Sequence, residues 1–198
     1  MRIGIFGGTF DPPHLGHLIL AAEAMDQANL DHLLWVLTPD PPHKQSSFIS
    51  PVEHRLAMTQ LMVECCSQFS LSDIELKRPG PQYAVDTVRE LRIQYPTDEL
   101  YYVIGGDSLR NLQTWHQPRE FIQACDHIIV MQRPGSTPDI TSLYKNYPEL
   151  KTRLIFLDVP QVEISAINIR QRVKNDRIFW HFVTRPVNDY ILKNQLYR

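Results

Sequence analysis

The residues best suited to chemistry lie at the start of the chain, in Gly7-Gly8-Thr9-Phe10-Asp11-Pro12-Pro13-His14-Leu15-Gly16-His17. Glycines let an anion approach the backbone where a Cβ would obstruct it. Two histidines spaced three apart fall on neighbouring faces of a helix entrance. The preceding Arg2-Ile3-Gly4-Ile5-Phe6 is short and β-prone, and the following Leu18 to Asn29 carries apolar residues at helical spacing. Strand, glycine-rich turn and helix N-terminus together converge backbone N–H groups on an anion, so the segment reads as a phosphate-handling site.

Other chemistries fit less well. No Ser-His-Asp or Cys-His arrangement stands out. His14 and His17 could be polar helix-start residues or part of a metal site, but a metal needs further ligands, and Cys65, Cys66 and Cys125 show no ligand spacing. They read as reduced thiols. Asp11, ahead of two prolines, reads as structural, bonding the turn's backbone as Asx residues do. Ser165 can cap a helix beginning near Ala166, and Asp107 can cap a short helix after a strand.

Positioning these residues takes alternating elements. Strands are expected at Ile3 to Phe6, Leu33 to Leu37, Leu100 to Ile104, His127 to Met131 and Leu154 to Leu157. Helical patterns lie between them: Ser50-Pro51-Val52-Glu53 reads as a capping box with Pro at the first helical position, and further helices fit Tyr83 to Gln94 and Val187 to Gln195. The alternation predicts an α/β doubly wound parallel sheet, whose ligand crevice lies at the carboxyl ends of the strands. Each candidate segment follows one of those strands.

With 198 residues, 43% of them hydrophobic, and no Pro/Ser-rich linker, one domain spanning residues 1–198 is expected. No basic leader or long apolar stretch is evident, so a soluble cytoplasmic protein without membrane association is expected. A formal net charge of −2 gives no global field toward nucleic acid. Charge is instead local, at His14, His17, His43, Lys44, Arg133, Arg170 and Arg172, as a polyphosphate pocket requires.

Phe10-Asp11-Pro12-x-His14-x-Gly16-His17 resembles the signature of the nucleotidylyltransferase superfamily, and the longer Gly-Gly-Thr-Phe-Asp-Pro-Pro-His form resembles its nicotinate mononucleotide adenylyltransferase branch. Pro41-Pro42-His43-Lys44, Gly105-Gly106-Asp107-Ser108-Leu109 with Trp115 downstream, Arg133-Pro134-Gly135, and Ile164-Ser165-x-x-x-Ile169-Arg170-x-Arg172 follow in the family's order. The resemblance implies a Rossmann-like fold of nucleotidylyltransferase type and transfer of AMP from ATP to nicotinate mononucleotide, by in-line attack without a covalent intermediate. It implies catalytic roles for His14, His17 and Arg170. ATP would be held by Gly7, Gly8, Thr9, Phe10, His14, His17, Gly105, Asp107, Ser165, Ile169 and Arg170, and the mononucleotide by Lys44, Tyr83, Ala84, Trp115, His116 and Arg133. The implied partners are ATP and a pyridine mononucleotide, with Mg²⁺ held mainly by substrate phosphates rather than by a dedicated protein site.

Competing readings keep the chemistry but change the acceptor, to nicotinamide mononucleotide, phosphopantetheine or a sugar or polyol phosphate, or make the chain a non-catalytic nucleotide-binding homologue. The chain also departs from the family pattern: Ile167 and Ala84 stand where Thr is common. Each departure removes a hydroxyl, and a neutral hydrogen bond is worth about 0.5–1.5 kcal/mol net. Ile167→Thr is therefore expected to change ATP affinity by at most about tenfold; an unchanged dissociation constant in calorimetry would mean that the hydroxyl has no use in this chain.

Overall fold

Both faces of the first strand are covered. In β1 (Arg2–Gly8), Ile3 and Ile5 enter one apolar cluster while Phe6 enters another, and all three are buried. Side chains alternate across a strand, so burial on both sides demands layers on both sides, as in parallel sheets. The computed structural model describes residues 1–40, 49–132, 139–160 and 162–198.

Five further strands join the sheet: β2 (His32–Leu37), β3 (Phe69–Ser72), β4 (Glu99–Gly105), β5 (His127–Gln132) and β6 (Leu154–Asp158). Their order is β3-β2-β1-β4-β5-β6, with every neighbouring pair parallel. Phe6 is in register with Trp35 on one side and Val103 on the other. The chain thus winds outward from β1 in one direction and then, from β4, in the other. The space above β1 and β4 is the switch point where such folds leave a crevice.

One face is packed by α1 (Leu15–Gln27), α2 (Val52–Val63), α8 (Ala166–Lys174) and α9 (Arg185–Lys193), which bury Ala24, Met62, Ile169 and Val187 against Phe6, Trp35 and Ile129. The other face carries α3 (Ala84–Gln94), α4 (Gly106–Arg110), α5 (Pro118–Ala124), α6 (Ile140–Asn146) and α7 (Leu150–Arg153), which bury Val88, Leu109, Phe121, Leu143 and Leu150 against Ile5, Leu100 and Ile128. The expected doubly wound α/β architecture is present.

Two expectations need correction. The strands expected from sequence do not include β3, a four-residue edge strand of alternating aromatic or aliphatic and serine residues, all only half-buried. The box at Ser50 does not form. Pro51 itself is the residue before the helix, without a side-chain cap: the Ser50 hydroxyl turns to the Tyr197 phenol, while the Ser50 N–H donates to Asp11 and its carbonyl accepts from Arg55. The expected placement of both motif histidines at a helix entrance is present, with α1 beginning at Leu15 directly after His14.

Candidate active site

The turn after β1 is held by contacts from distant parts of the chain. Phe10 adopts a left-handed backbone (φ 47°) that a non-glycine residue holds only when its surroundings compensate. Its ring is buried, 5.7 Å from Phe6 and 5.2 Å from Trp35 between centroids. Asp11 is buried too, but it does not make the local turn expected of it. Its Oδ2 accepts from the Ser50 N–H at 3.0 Å and its Oδ1 from the Tyr197 hydroxyl at 2.7 Å, while its carbonyl accepts from Arg170 Nη1 at 2.6 Å. Burial pushes the Tyr197 hydroxyl far above its ordinary range and the adjacent carboxylate reinforces the shift, so the phenol stays protonated and donates.

The turn delivers His14 as the N-terminal cap of α1 and His17 one turn later. Their rings stack at 3.6 Å between centroids. The His14 backbone N–H donates to His17 Nδ1 at 3.1 Å, which places the proton of a neutral His17 imidazole on Nε2. Gly16 has a specific task between them: a Cβ there would stand 3.0 Å from His14 Nδ1, so only glycine lets that ring lie against the helix entrance without displacement. The cluster brings together donors at the positive end of a 13-residue helix.

A cavity of about 400 Å³ opens beside this turn. Gly7, Gly8 and Thr9 form one wall, and Tyr83, Ala84, Trp115 and His116 form another. Tyr83 and His116 stack at 4.0 Å, and Trp115 packs on Phe121 at 5.0 Å. Thr38, Glu75, Gln82, Tyr102, Ser108 and Thr114 also line the cavity, and none of them is a site residue in the sequence reading. Glu75 and Gln82 carry one signal there, polar residues in an otherwise apolar or proline-flanked context. Glu75 is buried, and loss of hydration raises its carboxyl pKa despite the Thr87 hydroxyl that donates to it at 2.5 Å.

The remaining expected site residues are placed as follows. Gly105 caps α4, and nothing crowds the space where its Cβ would lie. Asp107 is in the first turn of α4, mostly exposed and paired with Arg110. Ser165 caps α8, its hydroxyl accepting from the Asn168 N–H at 3.2 Å. Ile169 is buried in the core, whereas Arg170 reaches from α8 to Asp11. Ile167 is exposed on α8. Lys44 and Arg133 lie outside the described residues. Thus Gly7, Gly8, Thr9, Tyr83, Ala84, Trp115 and His116 share the cavity, and His14, His17 and Arg170 gather around the turn that borders it. Among the described residues, no group of three or more His, Cys, Asp or Glu could hold a metal ion.

Comparison with known proteins gives the same motif order a family. The cytidylyltransferase-like family matches residues 5–172. A probable nicotinate-nucleotide adenylyltransferase of Thermomicrobium roseum is 40% identical over 197 residues, covering 100% of this chain and 92% of that protein. One from Thermus thermophilus is 41% identical over 200 residues, covering all of both chains. The chain belongs to the nicotinate-nucleotide adenylyltransferase family. Among solved structures, the Plasmodium falciparum nicotinic acid mononucleotide adenylyltransferase complexed with NaAD superposes on this adenylyltransferase-family fold with a TM-score of 0.80. The match covers 99% of this chain and 97% of that one at 18% identity, a likeness of fold.

The buried His14 makes stability depend on pH. Loss of hydration pushes its pKa down from 6.5 to about 4. Between those values the unfolded chain binds a proton that the folded protein refuses, so stability falls as pH drops through the window, by about 3 kcal/mol in full. His32 is shifted in the same direction by burial. His14→Gln is therefore expected to flatten, but not abolish, the loss of stability between pH 6.5 and 4 in urea denaturation. An identical slope in the variant would contradict a neutral, buried His14.

Proposed function

We propose that this chain transfers AMP from ATP to nicotinate mononucleotide, releasing pyrophosphate and forming the deamido dinucleotide of NAD biosynthesis, and that residues 1–198 act as one domain of that kind. The observation that carries this reading is the shared wall. Gly7, Gly8 and Thr9 border an aromatic-lined cavity and lead directly into the turn bearing His14 and His17. A nucleotide laid across that turn would have its phosphates at the entrance of α1, with the acceptor's ring in the adjoining cavity.

The reaction asks for placement more than for covalent help. A phosphate oxygen of the mononucleotide, already anionic at neutral pH, attacks the α-phosphorus; the bond from that phosphorus to the bridging oxygen breaks, and pyrophosphate leaves with its electron pair. Developing charge on the phosphoryl oxygens would be met by the Nε2–H of His17, by His14, and by Arg170, which can turn from the Asp11 carbonyl to a phosphate. Ser165 and the entrance of α8 would hold the outer phosphates, with Gly105 and Asp107 near the nucleoside. Trp115 offers a flat face to the pyridine. A divalent cation, Mg²⁺ in this reading, fits as a partner of the phosphates themselves, because the turn offers imidazoles and a guanidinium, and its one carboxylate, Asp11, is already taken by Ser50 and Tyr197. Bound there, it would neutralise phosphate charge. The sites are open to soluble substrates, in keeping with a cytoplasmic enzyme, and no helix among the described residues is long and apolar enough to cross a membrane.

The test is pyrophosphate release with ATP and Mg²⁺, comparing nicotinate mononucleotide with nicotinamide mononucleotide and phosphopantetheine at matched concentrations. Faster release with the nicotinate acceptor is expected, and His17→Ala is expected to lower it about 10²–10³-fold while ATP still binds. A preference for the amide would reassign the acceptor, activity with phosphopantetheine alone would overturn the pyridine reading, and ATP binding without turnover would make the chain a nucleotide-binding homologue.

A further inference from the structure

Behind the wall of the cavity sits a buried cation that the reaction scheme leaves unused. Arg55, on the first turn of α2, is 2% exposed. All three nitrogens of its guanidinium donate, and among the described residues every acceptor is a backbone carbonyl. Nε bonds the Ser50 carbonyl at 3.0 Å, Nη1 bonds those of Thr9 at 3.0 Å and Thr38 at 2.8 Å, and Nη2 bonds that of Pro39 at 2.7 Å. Such a set is costly to assemble for stability alone, since a buried cation loses its hydration and an apolar side chain of similar size would fill the same space.

The carbonyls come from separate segments. Thr9 belongs to the turn after β1, and Thr38 and Pro39 to the end of β2; Ser50 enters α2. Thr9 and Thr38 both line the cavity, so one nitrogen, Nη1, fixes the distance between two of its walls. Pro39 and Ser50 bracket the segment that contains Lys44, and the same guanidinium holds both brackets. Asp11 completes the arrangement by accepting from the Ser50 N–H while its carbonyl holds Arg170. The planar fork of arginine can address carbonyls in several directions at once; a lysine ammonium cannot span them.

We propose that Arg55 is a positioning residue for adenylyl transfer, setting the turn that carries His14 and His17 at a fixed distance from the β2 end of the acceptor cavity. It touches neither substrate. Its effect is on the alignment of two bound reactants, where a displacement of about 1 Å is enough to cost about a hundredfold in rate. The proposal rests on the adenylyltransferase reading of the site.

Arg55→Lys keeps the charge and loses the fork. Calorimetric titration with ATP gives the fraction of folded, binding-competent protein and its affinity, and single-turnover pyrophosphate release gives the rate per competent site. The expected result is an ATP dissociation constant within about threefold of the parent with a rate per site lowered about 10–100-fold, and a loss of rate that persists at saturating acceptor. A merely structural role would lower the melting temperature or the competent fraction and leave the rate per site unchanged, and that result would overturn the proposal. Should the lysine variant not fold, Arg55→Gln, which keeps two donors, is read in the same way; failure of both to fold would place Arg55 in the core alone and would also overturn it. Parent protein that is silent with every acceptor would instead refute the adenylyltransferase reading, so the two failures are distinguishable.

Discussion

The carboxyl edge of the sheet depends on the burial of two opposite charges beneath loops that have little regular structure of their own. Loss of hydration weighs on the buried Arg55 and the charge of Asp11 offsets part of it, yet the hydrogen bonds of the two side chains go mainly to the backbone around them. Loops lack ladders, so their buried N–H and C=O groups must find partners elsewhere. Here the guanidinium satisfies carbonyls of Thr9, Thr38, Pro39 and Ser50, and the carboxylate satisfies the Ser50 N–H. Tyr197, near the end of the chain, closes the cluster over Asp11. Segments far apart in sequence are thereby fixed at one edge, and the candidate site is built on top of them.

The sheet and the charges divide the work. The parallel order, with β1 and β4 adjacent and the chain leaving them in opposite directions, creates the crevice. Aromatic packing of Phe6, Phe10 and Trp35 then supports the turn from below, while Gly16 lets His14 press against the entrance of α1. Even as a neutral imidazole, His14 keeps one ring N–H to offer a phosphate oxygen, and the His14 backbone N–H at His17 Nδ1 leaves the ring N–H of a neutral His17 on Nε2.

Much of this is legible in the residues. The β-prone run Ile3-Gly4-Ile5-Phe6 and the apolar runs at Leu33 and Leu100 mark strands buried on both faces, and the glycine-histidine turn marks its own place at a strand end. Local patterns do not reveal contacts across long sequence separations. Asp11 reads as a local turn residue because the partners it uses are 39 and 186 positions away. Arg55 looks like one more helix residue until the carbonyls around it are in place. Ser50 reads as a helix cap because its type and spacing fit, but its hydroxyl goes to Tyr197 and its backbone to Asp11 and Arg55, and the helix starts without it. Glu75, Gln82 and Tyr102 reach the cavity from segments whose convergence only the folded sheet brings about.

The central claim is that placement, without a covalent adenylyl-enzyme, suffices for the chemistry at the turn. The most direct measurement is the stereochemical course at phosphorus, using ATP made chiral at the α-phosphorus by sulfur substitution and nicotinate mononucleotide as acceptor. A single in-line displacement predicts inversion in the dinucleotide product. Retention would require two displacements, with a side chain such as His14 or His17 carrying the adenylyl group between them, and would contradict the account.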